Sequence, residues 1–232
     1  SSQASSEIML GIGDDAAAVQ NRPEYVQLIS ADSQVENTHF NLNWIDPVSL
    51  GKRAVAVSFS DIAAMGGNPK YAIVSLVLPE NLTLEFFQEL FIGIKEQTDM
   101  LDSVVIGGNL SGGSSKLIVD ITALGEIKSD TMVTRGNARS GDHIYVTGML
   151  GNGLGGLDLL RKYKLDYPAA FKEIVDNYLI PSPRLKAGAL IAASGYATSM
   201  IDISDGLSGD LGAICHQSGV GAEIDFSLLP RN

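Results

Sequence analysis

A single cysteine, Cys215, stands in 232 residues, so the chain builds no internal disulfide and fits a reducing cytosol. Histidine is almost as scarce: His39, His143 and His216 are scattered and show no zinc-ligand spacing. Basic residues are outnumbered, 16 Lys and Arg against 27 Asp and Glu, and the net charge of −11 has the wrong sign for a protein that neutralises nucleic-acid phosphates. No apolar run approaches the roughly 20 residues that a membrane helix needs, and the polar start SSQASSE has no signal-peptide core. The expectation is a soluble, cytoplasmic protein without nucleic-acid or membrane partners. Two motif families are also missing. There is no G-x-x-x-x-G-K-[ST] phosphate cradle and no Ser-His-Asp or Cys-His constellation. What is present is 45% hydrophobic residues, enough for a sizeable core in one large domain or two small ones.

Helix and strand signals alternate along the chain. Asp46-Pro47 reads as an N-cap followed by proline at the first helical position, and Gly66-Gly67 with Pro69 beyond reads as a stop, so residues 47–65 are expected to be helical. The pattern then predicts a strand at 71–78, a helix at 83–97 with Phe86, Leu90, Phe91 and Ile94 on one face, a strand at 104–108 running into a glycine loop, and a long strand at 116–127. The polar, turn-rich RGNARSGD at 135–142 is the best boundary between two domains, which we place at 1–136 and 137–232. Beyond it, DHIYVTG, MIDIS and GAEIDF read as strands and GLGGLDLLRKY, FKEIVDNYL, 184–194 and GLSGDLGAICHQSG as helices. The class is mixed α and β.

Five places set an acidic or amide side chain at the end of an element or in a glycine turn. They are Asp14-Asp15 in GIGDD, Asp32 in LISADS, Asp61, Asn109 in IGGN, and Asp202 with Asp205 in MIDISDGLSGDL. Oxygen-only ligands suit magnesium, which is usually shared between carboxylates and substrate phosphates. A metal and a polyphosphate would neutralise the Asp14-Asp15 doublet, and Gly11, Gly13, Gly108 and Gly206 would let backbone N–H groups approach phosphates. Singly, each acid also reads as a helix cap. His39 reads as a structural histidine or a substrate contact, and Arg135 as a solvated loop charge or a phosphate clamp. G151-N-G-L-G-G156 matches the dinucleotide fingerprint, but a helical segment replaces the second strand with its terminal acid.

The motifs GIGDDAAAV, ISADSQVENTHF, SFSDIAAMGGNP, VIGGN, VTRGNARSGDHIYVTG and IDISDGL follow the order and rough spacing of bacterial thiamine-monophosphate kinases, so the whole chain resembles that family. The resemblance extends to the superfamily of aminoimidazole-ribonucleotide synthetase. It implies a two-domain synthetase-like fold: an N-terminal α/β domain whose sheet dimerises into a barrel, and a C-terminal α/β domain with a mixed sheet. Asp15, Ser30, Asp32, Asp61, Asp202 and Asp205 match the family's magnesium ligands, with Asp14 in the same doublet and Asn109 at a further ligand position. Gly108, Arg135 and Ser204 match positions contacting ATP, and His39 one contacting thiamine phosphate. The implied reaction is transfer of the ATP γ-phosphoryl group to thiamine monophosphate in a homodimer, with several Mg²⁺ ions, the main work falling to Asp61, Asp205 and Arg135.

Asn109 stands where the family has aspartate, so one metal should bind less tightly, and Ala31 stands where threonine is common. Family members extend further at both ends, and the resemblance implies that an acidic residue and an aromatic contacting the thiamine moiety lie beyond residue 232. Two alternatives stay open. One is a superfamily member using ATP with a different acceptor; selenophosphate synthesis is disfavoured because no Cys lies near the N-terminal glycine turn. The other is a nucleotide-binding subunit that has lost catalysis.

Overall fold

Asp46 starts the helix that organises the molecule: its side chain accepts the backbone N–H of Ser49, and Pro47 takes the first helical position, where no donor is needed. In the computed structural model, which describes residues 7–230, this helix is α1 (Pro47–Ala64), as its punctuation predicts. Before it come three strands, β1 (Ile8–Leu10), β2 (Ala17–Arg22) and β3 (Tyr25–Val35). After it come β4 (Asn68–Pro79), α2 (Leu84–Met100), β5 (Val104–Ser114) and β6 (Ile118–Lys128). The strands form one six-stranded sheet in the order β1-β2-β3-β6-β4-β5, antiparallel throughout except for the β4–β5 pair that α2 connects.

One face of this sheet is covered and the other is not. Val26 and Leu28 of β3, Ala72, Val74 and Leu76 of β4, and Val119, Ile121 and Ala123 of β6 point at α1 and α2, where they bury Phe59, Ile62, Leu90 and Ile94. The two helices cross closely because glycines face each other: a Cβ on Gly93 would collide with the backbone of Val48, and one on Gly51 with that of Leu90. On the opposite face, registered rows run Ile29–Leu124–Tyr71, Ala31–Thr122–Ile73 and Val35–Ile118–Val77 across three strands with no layer of the described residues over them.

The second half contributes four helices, α3 (Asn152–Tyr163), α4 (Lys172–Leu179), α5 (Leu185–Ser194) and α6 (Leu207–Ser218). It docks on the first through α1: the chain at Gly66 meets Ala192 of α5, Gly188 lies against the Ala63 carbonyl, and the Arg53 guanidinium stacks on the Tyr178 ring at 4.8 Å. The fold is thus the mixed α and β one expected. The mixed sheet expected in this half is not formed among the described residues: the segments 142–148, 200–204 and 221–226 belong to no strand. A strand exists through its ladder, and here none of the three segments pairs with another. Several of their apolar side chains are uncovered, Tyr145 at 86% exposure and Ile203 at 44%. No helix of the described residues is long and apolar enough to cross a membrane.

Candidate active site

Between α1 and β3 the interior turns polar. Ser30, Asp32 and Gln34 occupy alternate positions on the covered face of β3, where apolar side chains would ordinarily go. Ser30 donates to the Asp61 carboxylate and Gln34 accepts from Arg53 Nε at 3.1 Å, with Asp32 between them near Ser58, whose hydroxyl favours its charged form. Helix and strand climb side by side, so the three rungs fall in register. The two carboxylates lie at the end of α1 where the chain from β1 to β2 passes.

That chain carries the Asp14-Asp15 doublet, both side chains buried, at 3% and 0% exposure. The turn at Gly13 has φ of +128°, a conformation open to glycine and strained for other residues. Two acids can lie side by side here because Arg135 serves both. Its backbone N–H donates to Asp14 at 3.0 Å, and its guanidinium grips Asp15 in a fork, with Nε 3.0 Å from Oδ2 and Nη2 on Oδ1. The side chain is thus not a solvated loop charge but the doublet's counter-ion.

The third contribution comes from the loop before α6. Asp202 reaches Asp15 and Asp61, and one carboxylate oxygen from each of these three residues lies within 4.8 Å of the other two. Helix α6 fastens the surrounding loops. Gln217 donates to the Gly13 carbonyl, Ser218 accepts the Ala138 N–H at 3.1 Å and donates to the Arg135 carbonyl at 3.0 Å, and Asp210 holds the backbone of Ser204 and Gly206. Ser199 adds a second bond to the Arg135 carbonyl at 2.7 Å.

Crowding buried carboxylates raises their proton affinity. Burial pushes the Asp61 carboxyl up to about 8, opposed by the Ser30 hydroxyl and reinforced by Asp32, Asp202 and Asp15. Burial likewise lifts Asp15 to about 6 despite the Arg135 fork, and raises Asp32, with the Asp202 charge adding to it. The cluster therefore lacks positive charge. Magnesium takes oxygen donors of this kind, and three carboxylate oxygens all within 4.8 Å of one another could share one ion. The residues present fit such an ion.

Other expected site residues lie apart from this centre. His39 is exposed, its Nδ1 accepting the Val35 N–H at 3.0 Å, yet it is close enough to Asp32 to favour that residue's charged form. Asp205 and Ser204 are exposed on the α6 loop, outside the three-carboxylate cluster. Gly108 is on the covered face, in the row Asp32–Ile121–Val74–Gly108, but three strands from Asp32, roughly 14 Å at sheet spacing. Asn109, one residue on, points to the uncovered face beside Ser75, donating to Ser111 at 3.0 Å. The structure does not bring Asn109 to the carboxylates of its own chain.

Comparison with known proteins agrees with this geometry. Residues 13–127 match the family description AIR synthase related protein, N-terminal domain, and residues 139–232 its C-terminal domain. The thiamine-monophosphate kinase of Bacillus subtilis (strain 168) is 34% identical over 227 residues, covering 97% of this chain and 70% of the relative. The chain belongs to the thiamine-monophosphate kinase family. Among solved structures of the family, one described as AaThiL complexed with AMPPCP and TMP superposes with a TM-score of 0.83 at 35% identity, over 90% of this chain and 65% of that one. The family's enzyme from Stenotrophomonas maltophilia K279a gives 0.84 at 33% identity, over 98% and 72%. The chain thus spans about two thirds of the length of the family members it matches.

Proposed function

We propose that the chain transfers the γ-phosphoryl group of ATP directly to the phosphate of thiamine monophosphate, giving thiamine diphosphate and ADP. The observation that carries this reading is the Asp15–Asp61–Asp202 cluster, short of positive charge and walled by Asp14, Asp32 and Ser30, in a chain whose family relatives are named for this reaction. Both reactants are anions, so the obstacle is charge repulsion and alignment rather than activation of a nucleophile. Magnesium ions held by Asp15, Asp61, Asp202 and their neighbours would supply the electrostatic stabilisation of the transferring group. Ser30 orients the Asp61 carboxylate. Arg135, once its fork leaves Asp15, has the planar geometry to bind a phosphate. The acceptor phosphate oxygen is ionised at neutral pH, so no strong base is needed.

His39 is proposed as a contact to the acceptor, Gly108 and Ser204 as contacts to ATP, and Asp205 as a further metal ligand. The division at 136/137 is proposed as the domain boundary, and the cytoplasm as the compartment. The uncovered sheet face, with its rows of Ile29, Leu124 and Tyr71 and of Val35, Ile118 and Val77, is proposed as the surface that a second copy covers in a homodimer; Asn109 lies on that face. The reaction is tested with ATP labelled in its γ-phosphate. Label appearing in the terminal phosphate of thiamine diphosphate, dependent on Mg²⁺, is the expected result; label released only as inorganic phosphate overturns the reading.

A further inference from the structure

Asp210 is an acid that neither the family motifs nor the proposed reaction uses, and it is the most buried carboxylate of the second half, at 6% exposure. It sits on the first turns of α6, a helix whose N-cap residue, Gly206, has no side chain to satisfy the free N–H groups. Asp210 compensates by folding backwards. One of its oxygens accepts both the Ser204 N–H at 3.0 Å and the Gly206 N–H at 3.1 Å, while its own N–H donates to the Gly206 carbonyl at 3.1 Å. The side chain thus reaches back to the N-cap N–H as the acid of a capping box does, from one residue further along the helix.

The two N–H groups it holds flank Asp205, and the segment they belong to carries Asp202 into contact with Asp15 and Asp61. Fixing the peptide planes on either side of residue 205 fixes the exit direction of the loop. Gly206 has φ of +103°, a conformation strained for any residue with a side chain, so the cap cannot be supplied from position 206 itself. The same oxygen therefore fixes both the start of the helix and the loop that leads into it.

We propose that Asp210 is a positioning residue for the metal site: its single oxygen locks the Asp202–Gly206 segment so that Asp202 completes the cluster with Asp15 and Asp61. The proposal rests on the metal-dependent reading of that cluster and adds a residue that touches neither metal nor substrate.

The test uses Asp210→Ala, which removes the acceptor, and Asp210→Asn, which keeps an oxygen in the same place without the charge. Binding of Mn²⁺ alone to the chain is followed by electron paramagnetic resonance, next to melting temperature and amide hydrogen exchange of residues 203–207. Gly93→Ala, at the distant α1–α2 crossing, serves as a control that lowers stability without touching the loop. The expected result is Mn²⁺ binding weakened tenfold or more and exchange at 203–207 accelerated in Asp210→Ala, with Asp210→Asn within about threefold of wild type and the control unchanged in Mn²⁺ affinity. Mn²⁺ affinity of Asp210→Ala within twofold of wild type reduces the residue to a helix cap and overturns the proposal, as does an equal loss in the control. The catalytic reading fails separately: wild-type protein showing this Mn²⁺ pattern but forming no thiamine diphosphate removes that reading and leaves the positioning role standing.

Discussion

Asp61 shows how one residue links burial to pH. Its carboxyl, near 3.8 when the chain is unfolded, is pushed up to about 8 in the folded, metal-free protein, and Asp15 to about 6. Between those values the folded chain holds protons that the unfolded chain releases, so folding stability is greatest below about pH 4 with respect to these groups and declines as pH rises through 6 and 8. A divalent cation favours the ionised carboxylates and opposes the decline. Thermal unfolding without metal should therefore show a melting temperature that falls from pH 5 to pH 8, and Mg²⁺ should raise it more at pH 8 than at pH 6. Asp61→Asn should flatten the metal-free slope; an unchanged slope in this variant would place the titrating group elsewhere. The carboxylates were legible in the sequence because the motifs around Asp15, Asp32, Asp61 and Asp202 mark them. Asp210 was not, because its work is a bond to the backbone of its own loop, which no spacing rule signals. Arg135 was legible only as a choice between two roles, since an ion pair across 120 residues has no local signature.

Among elements, the sequence signals were strongest where punctuation and apolar period agree. The caps and the glycine-proline stop marked α1, and α2, β4 and β6 followed from their patterns. Strand β3 gives a weaker signal because the site inverts its pattern: Ser30, Asp32 and Gln34 occupy the covered face while Ile29 faces outward. The segments at 142–148, 200–204 and 221–226 misled for the opposite reason, since a local apolar alternation says nothing about whether a pairing partner exists. Asn109 and Gly108 take opposite faces of β5, as neighbouring strand residues do, a division that the motif alone does not show. At the α1–α2 crossing, Gly93→Ala should destabilise by about 1–3 kcal/mol although alanine is the better helix former, because the added methyl meets the Val48 backbone. Chemical denaturation measures this; a stabilised variant would mean that the helices can move apart at no cost.

For the whole molecule, the uncovered face of a six-stranded sheet is a large apolar surface for a lone chain, and the proposed homodimer removes it from water. Sedimentation should give a particle of twice 24.5 kDa, and Ile73→Arg, in the middle of that face, should shift it to a single chain. A wild-type particle of one chain would leave the face to another occupant. The account's central claim is that this chain uses its carboxylate cluster to phosphorylate thiamine monophosphate. The most direct measurement follows ADP and thiamine diphosphate formed from ATP, Mg²⁺ and thiamine monophosphate by the wild type and by Asp61→Asn side by side. The predicted result is stoichiometric ADP and thiamine diphosphate from the wild type and a rate lowered roughly 10²-fold or more in a variant that still folds, the scale on which one preorganised electrostatic group acts. Near-normal turnover by Asp61→Asn, or ATP binding by the wild type with no thiamine diphosphate formed, would contradict it.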